Sequence, residues 1–172
     1  EILSSKNLKL SSKVKNELIT SLAIYSGFSG LAGGQYFDLT FENKKISKKK
    51  IINIQNNKTG KLFAFCCECA GIIKEQNFKK RKILKKIGLD IGLLFQITDD
   101  LIDFKGDSKI AGKPTKRDKK RGKPTLVNLL GYKKTLSFAN NLKNKINEKI
   151  RNYDINSRDL LQSVEYILDR KS

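Results

Sequence analysis

Asp99, Asp100 and Asp103 stand in a stretch, Ile91 to Phe104, where nearly every other residue is apolar. An unpaired carboxylate is very costly in such surroundings, and three within one helical turn repel each other. A cation lying against them would resolve both problems, and a divalent metal ion is the simplest one. On a helix, Asp99 and Asp103 at i and i+4 share a face, Gln96 three residues before Asp99 joins it, and Asp100 lies three before Asp103. Ligation by carboxylate oxygens suits Mg²⁺, which keeps several waters and fills its shell with substrate phosphates. A calcium loop would need a glycine hinge and alternating ligands, which this run lacks. A solvated helix face or an N-cap cluster would carry the same acids, but the flanking residues are too apolar for a surface helix.

The elements that must hold these acids read as nearly all helix. Both prolines, Pro114 and Pro124, fall in one loop, and no long period-two alternation calls for a sheet. Apolar spacing predicts a helix from Leu8 to about Phe41, with Gly27, Gly30, Gly33 and Gly34 recurring along one side. A second helical stretch runs from about Ser47 to Gln76, with an irregularity at Lys58-Thr59-Gly60. A long helix from Phe78 to Phe104 carries the aspartates at its C-terminal end. The extended loop Lys105 to Thr125 follows, rich in Gly, Lys, Pro and Asp. Two further helices are predicted, about Leu126 to Tyr153 and Ile155 to Arg170. The loop leaves directly after the aspartates, so Lys113 and Lys123 could fold back over a metal cluster and add point charges for a pyrophosphate. A flexible basic surface loop is the plainer reading of the same composition. Neither Gly112-Lys113 nor Gly122-Lys123 meets the Walker A pattern.

The chain has 172 residues, enough for one domain with a sizeable core. It contains no Met and opens on Glu1-Ile2-Leu3, as if in the middle of an element, so a fragment or trimmed product is expected. Its formal charge is +19, from 36 Lys and Arg against 17 Asp and Glu. That balance invites nucleic-acid binding. The excess, however, is mostly Lys in a chain also rich in Ile and Asn, three residues with A/T-rich codons. The charges are scattered and not interleaved with stacking aromatics, so no nucleic-acid partner is expected. Cys66, Cys67 and Cys69 lie close together, but the chain has no His and no second cysteine pair to complete a zinc site. Small apolar packing in a reducing compartment fits them better. No signal peptide is visible. The longest low-charge run, Leu18 to Gly34, is too short and polar for a membrane span.

Several motifs together resemble the trans-isoprenyl diphosphate synthases, in particular bacterial farnesyl and geranylgeranyl diphosphate synthases. Phe95-Gln96-Ile97-Thr98-Asp99-Asp100-Leu101-Ile102-Asp103 is similar to the family's second aspartate-rich motif. Gly106-Asp107, Gly112-Lys113 and Gly122-Lys123-Pro124-Thr125 follow as in the family. Upstream, Gly33-Gly34-Gln35-Tyr36-Phe37-Asp38-Leu39 resembles Gly-Gly-Gln-x-x-Asp-Leu, and Lys58-Thr59-Gly60 resembles Lys-Thr-Gly. Each motif alone is weak, but their order along the whole chain is specific.

The resemblance implies an all-α fold, an antiparallel helical bundle around a central cavity, with residues 1–172 the C-terminal part of a single polyprenyl synthase domain and incomplete at the N-terminus. It implies a cytoplasmic homodimer that uses Mg²⁺ to condense an allylic diphosphate with isopentenyl diphosphate. Ionisation of the allylic diphosphate, attack by the isopentenyl double bond and proton loss make up the cycle. Asp99, Asp100 and Asp103 would bind metal, with Asp38 near the metal-pyrophosphate cluster. Gln35, Lys58, Lys113 and Lys123 would contact substrate, and oxygens of Lys58, Thr59 and Gln96 would face the developing cation. On the residues alone, Lys58-Thr59 could equally be a capped helix break, and Gln35 with Asp38 a hydrogen-bonded pair at i and i+3.

One departure stands out. The family places a first aspartate-rich motif before the stretch that corresponds to this chain, and no second Asp-rich cluster replaces it here. The 172 residues by themselves are therefore expected not to catalyse condensation. A terpene cyclase shares the fold, but its second metal motif usually mixes Asn, Ser or Thr with Glu. A non-catalytic subunit is another reading, against which the retained Lys and Asp positions argue.

Overall fold

The computed structural model describes residues 1–106, 122–153 and 157–170. Among them every regular element is helical. A 3-10 turn, Ile2–Ser4, precedes α1 (Ser12–Ser26) and α2 (Leu31–Thr40). Then come α3 (Lys48–Gln55), a π-helical turn (Asn56–Gly60), α4 (Lys61–Ile73) and α5 (Phe78–Lys105). The chain closes with α6 (Leu126–Leu130), α7 (Tyr132–Tyr153) and α8 (Arg158–Asp169).

Side-chain caps set most of the starts. Ser11, Ser47, Asn77 and Thr125 each accept a hydrogen bond from a backbone N–H three residues on, at α1, α3, α5 and α6. Glycine sets two of the ends. Gly106 closes α5 with φ 75°, and Gly131 separates α6 from α7 with φ 80°, both left-handed values that suit glycine. The sequence predicts one helix from Leu8 to Phe41 and one from Leu126 to Tyr153, and each is divided in the structure. Gly27 to Gly30 ends α1 and starts α2 anew, and Gly131 makes the second break. The second predicted stretch, Ser47 to Gln76, stops at Ile73, and its expected irregularity is the π-helical turn. The Lys105 to Thr125 loop, with Lys113, lies mostly outside the described residues, as does the start of the last helix at Ile155.

α5 is the central element. Ile87, Ile91, Leu94, Ile97 and Leu101 recur every three or four residues and are all buried. They pack with Leu126 and Val127 of α6, Ala139, Ile146 and Ile150 of α7, and Val164 and Ile167 of α8. The buried Asp90 ties α5 to α7: Lys86 Nζ lies 2.7 Å from one of its oxygens and Lys149 Nζ 2.6 Å from the other. A buried acid keeps its charge only with such partners.

The other side of α5 lies against α4, almost backbone to backbone. A Cβ on Gly88 would fall 2.6 Å from Ala64 Cα, and one on Gly92 would fall 2.6 Å from Gly60 Cα. Gly71 meets Leu84 and Arg81. Pairs 60–92, 64–88 and 71–84 run in opposite senses, so the two helices are antiparallel. α1 runs antiparallel to α4 in the same way: Val14 and Leu18 bury with Ile72, and Tyr25 meets Phe65 and Glu68.

Lysine ammonium groups cover many aromatic faces. Lys44, Lys48 and Lys50 lie over Phe41, Phe138 and Phe37, Lys61 and Lys85 over Tyr25, and Lys105 over Tyr132. No described helix is long and apolar enough to cross a membrane.

Two consequences are measurable. Gly88→Ala pushes a methyl into the α4 backbone and should cost about 1–3 kcal/mol, as overpacking does; thermal unfolding followed by circular dichroism should show a drop of several degrees. The Tyr25 phenol, which donates to the Glu68 carboxylate, is pushed up from its ordinary value of 10, first by burial and then by that acceptor. A raised folded value means stability that is complete below pH 10 and lost as pH climbs past it. Urea unfolding between pH 9 and 11 should show wild type losing stability faster than Tyr25→Phe.

Candidate active site

The π-helical turn brings the predicted residues together. An extra residue in the turn widens the helix locally and re-aims side chains, a device frequent at functional sites. Two glycine contacts press the turn into place. A Cβ on Gly34 of α2 would lie 2.2 Å from Lys58 N, and Gly60 meets Gly92 of α5. The Gly33-Gly34 motif thus brings the Asp38-bearing helix onto the Lys58-bearing turn.

Asp38 faces two lysines. Lys58 Nζ lies 2.5 Å and Lys123 Nζ 3.7 Å from its Oδ2. Lys58 and Lys123 come from elements far apart in sequence, yet both converge on one carboxylate. Together with Gln55, Gln96, Ile51, Ile54 and Pro124 they enclose a narrow gap. The open i, i+3 reading of Gln35 with Asp38 does not hold, because the Asp38 carboxylate goes to the lysines; Gln35 is half-buried on the same helix.

A chain of hydrogen bonds runs beside this gap. Thr59 Oγ1 donates to Gln96 Oε1 at 3.0 Å, and Gln96 Nε2 donates to Asp100 Oδ1 at 2.9 Å. Gln55 Nε2 donates to the other Asp100 oxygen at 2.8 Å. Gln96 therefore turns toward Asp100, one turn on, and not onto the face of Asp99 as its spacing suggested.

The aspartates point in different directions. Asp100 is 2 % exposed and sits inside the bundle. Asp99 keeps 32 % of its side chain exposed and pairs with Arg170, whose Nη2 lies 3.0 Å from Oδ1. The Arg170 guanidinium also stacks 3.9 Å over the Phe95 ring and donates to Phe95 O. Asp103 is half-buried on the Asp99 side of the helix. Among the described residues no group of three or more His, Cys, Asp or Glu side chains converges on a metal position. Asp38, Asp99, Asp100 and Asp103, the expected ligands, therefore do not face one common point among the described residues. Consecutive residues on a helix project about 100° apart, which separates Asp99 from Asp100, and Asp38 is neutralised by lysines.

Mg²⁺ still fits part of this set. It takes one or two carboxylates and keeps its waters. Asp99 and Asp103, on one face and partly open, offer that donor chemistry, whereas a closed cage from all four acids is not present. The three cysteines are free, and burial pushes the Cys67 thiol up to about 11, which suits packing and not reactivity.

Sequence reasoning missed two residues. Gln55 lies three before Lys58 but stands next to Asn56 and Asn57, so its polarity did not set it apart. Arg170 ends an amphipathic helix and gave no local signal.

A family model described as polyprenyl synthetase matches residues 1–164. The chain is 30% identical over 164 residues to the farnesyl diphosphate synthase of Micrococcus luteus, covering 95% of this chain and 56% of that protein. It is 33% identical over 177 residues to the farnesyl diphosphate synthase of Haemophilus influenzae, covering 100% of this chain and 58% of that protein. Among solved structures, an FPP/GFPP synthase from Zymomonas mobilis superposes with TM-score 0.82 at 36% identity, over 96% of this chain and 55% of that one. A Helicobacter pylori geranyltransferase complexed with magnesium and isoprenyl diphosphate also gives TM-score 0.82, at 29% identity, over 98% of this chain and 55% of that one. The chain thus spans a little over half the length of the relatives it matches. With its motifs in order and its helices in the isoprenoid synthase arrangement, the chain belongs to the polyprenyl synthetase family.

Proposed function

We propose that this chain is the C-terminal part of a polyprenyl synthase domain of the farnesyl or geranylgeranyl diphosphate type, which condenses an allylic diphosphate with isopentenyl diphosphate. The observation that carries this reading is the convergence of Lys58 and Lys123 on Asp38, beside Gln96 and Thr59. Two lysines already gathered on one acid are poised to turn to diphosphate oxygens, which offer more negative charge than one carboxylate. Lys113 adds a third in the family pattern, although it lies outside the described residues.

Asp99 and Asp103 would hold Mg²⁺, which when bound neutralises the charge that builds on a departing diphosphate. The Lys58 and Lys123 ammonium groups stabilise the same oxygens. The Gln96 and Thr59 side-chain oxygens lie next to that group and offer the dipoles a developing allylic cation needs. Ile51 and Ile54, which line the gap, keep water from that cation. The names of the relatives support this class of substrate, and the magnesium in the Helicobacter pylori structure supports the ion. A homodimer and a cytoplasmic location complete the reading; three free cysteines agree with a reducing compartment.

The sequence brings one Asp-rich cluster, so the 172 residues alone should release no allylic product from labelled isopentenyl and allylic diphosphates. Joined to the preceding portion of the Micrococcus luteus relative, they should do so. Product from the chain alone overturns the one-wall account of the site; no product from the joined protein weakens the functional assignment. In the joined protein, Asp99→Ala should lower turnover by orders of magnitude and raise the Mg²⁺ requirement, and near-normal turnover would exclude Asp99 as a ligand. Lys123→Ala should cost about 1.5–3 kcal/mol, one charge-assisted contact, read as a rise in KM for the diphosphate substrate.

A further inference from the structure

Gln55 is 6 % exposed, and its Oε1 is buried without a hydrogen-bond partner among the described residues. An apolar side chain of similar size would avoid that unsatisfied acceptor. Its other end explains why a glutamine stands there: Nε2 donates to Asp100 Oδ2 at 2.8 Å. The opposite oxygen, Oδ1, accepts from Gln96 Nε2 at 2.9 Å. Asp100 is thus gripped by amide N–H groups on both oxygens.

The donor and acceptor inventory gives this arrangement a direction. An ionised carboxylate only accepts, so whichever end of the Gln96 amide faces Asp100 must be the NH₂. The carbonyl end must then face the other way, where Thr59 Oγ1 meets it at 3.0 Å. Without Asp100, the Gln96 amide could turn over, because a hydroxyl can donate or accept. Asp100 therefore acts as a one-way lock on an otherwise reversible side chain. Gln55 in turn holds the lock, since its Nε2 fixes the carboxylate from the far side.

We propose that Asp100 and Gln55 are positioning residues which aim the Gln96 carbonyl oxygen, with the Thr59 hydroxyl, toward the reacting allyl group, and that Asp100 is not a metal ligand. The inference rests on the functional reading above and divides the aspartates by role. Asp99 and Asp103, on the partly open face, would meet the ion. Asp100, turned inward, sets the orientation of a neutral dipole. An amide oxygen kept pointing at a site costs no reorganisation when positive charge develops there, which is how preorganised dipoles stabilise a transition state. Gln55 lines the same gap as Lys58 and Lys123, so the tether lies directly under the diphosphate pocket.

The test uses the full chain, with Mg²⁺ and inorganic pyrophosphate as the probe. Asp100→Asn is nearly isosteric, and Gln55→Leu removes the tether while filling the space; helical circular dichroism reports the fold of each. In Asp100→Asn and Gln55→Leu, the Gln96 side-chain NH₂ resonances, assigned by their loss in Gln96→Glu, should move and broaden as the amide loses its fixed orientation. Calorimetric titration with Mg²⁺ and pyrophosphate should change less than about two-fold in both variants, while Asp99→Asn should weaken binding by at least ten-fold. If Asp100→Asn weakens binding as much as Asp99→Asn, Asp100 is a ligand and the proposal is overturned. Unchanged Gln96 resonances in both variants overturn it as well. A failure of Asp99→Asn to weaken binding counts against the metal reading instead, and leaves the Gln96 resonances to decide the lock.

Discussion

The structure depends on the contact of backbone with backbone around the π-helical turn Asn56–Gly60. Gly34 from α2 meets it on one side and Gly92 from α5 on the other, at separations that exclude even a methyl group. Close approach has an energetic cost, since glycine is a poor helix former by roughly 1 kcal/mol relative to alanine. The return is geometric. Three segments that share no local sequence bring Asp38 onto Lys58 and Gln96 onto Thr59. If α2 moved out by the width of a side chain the ion pair at Asp38 would be lost, if α5 did so the Thr59–Gln96 bond would be, and if the turn moved both would go.

The acids of the chain are handled in different ways, and the way tells their roles apart. Asp90 is clamped between lysines of its own helix and of α7 and belongs to the scaffold. Asp38 gathers lysines that can be given up to a stronger anion. Asp100 accepts amide N–H groups from Gln55 and Gln96 on its two oxygens, which fixes its geometry. Asp99 meets Arg170 at the edge of the bundle. A low-dielectric interior does not tolerate a bare carboxylate, so each acid reveals what it is for by what it is bound to.

Much of the fold was legible in the sequence because α5 has a strong period and its neighbours begin with good caps. The all-helical class, the long helix from Phe78 and the irregularity at Lys58-Thr59-Gly60 follow from local pattern. The breaks at Gly27–Gly30 and Gly131 were missed, because a glycine inside an apolar period reads the same whether it continues a helix or ends it. Of the residues on matched motifs, Lys58, Lys123 and Asp38 converge, and Thr59 bonds Gln96. The direction in which each aspartate points was not legible. Spacing gives the face of a helix, but the choice between solvent and interior is made by tertiary neighbours, here Gln55 for Asp100 and Arg170 for Asp99. Both partners are distant in sequence and carry no motif.

The lysines spread over aromatic rings bear on how such a basic chain can fold at all. An ammonium group resting on the face of Phe41, Phe138 or Tyr25 is satisfied by a quadrupole and requires no acid nearby. Positive residues can therefore accumulate by compositional drift without a matching gain of acidic ones, provided each newcomer finds a ring. The aromatic positions, more than the acidic ones, then set how much further that drift can proceed before the helices repel one another.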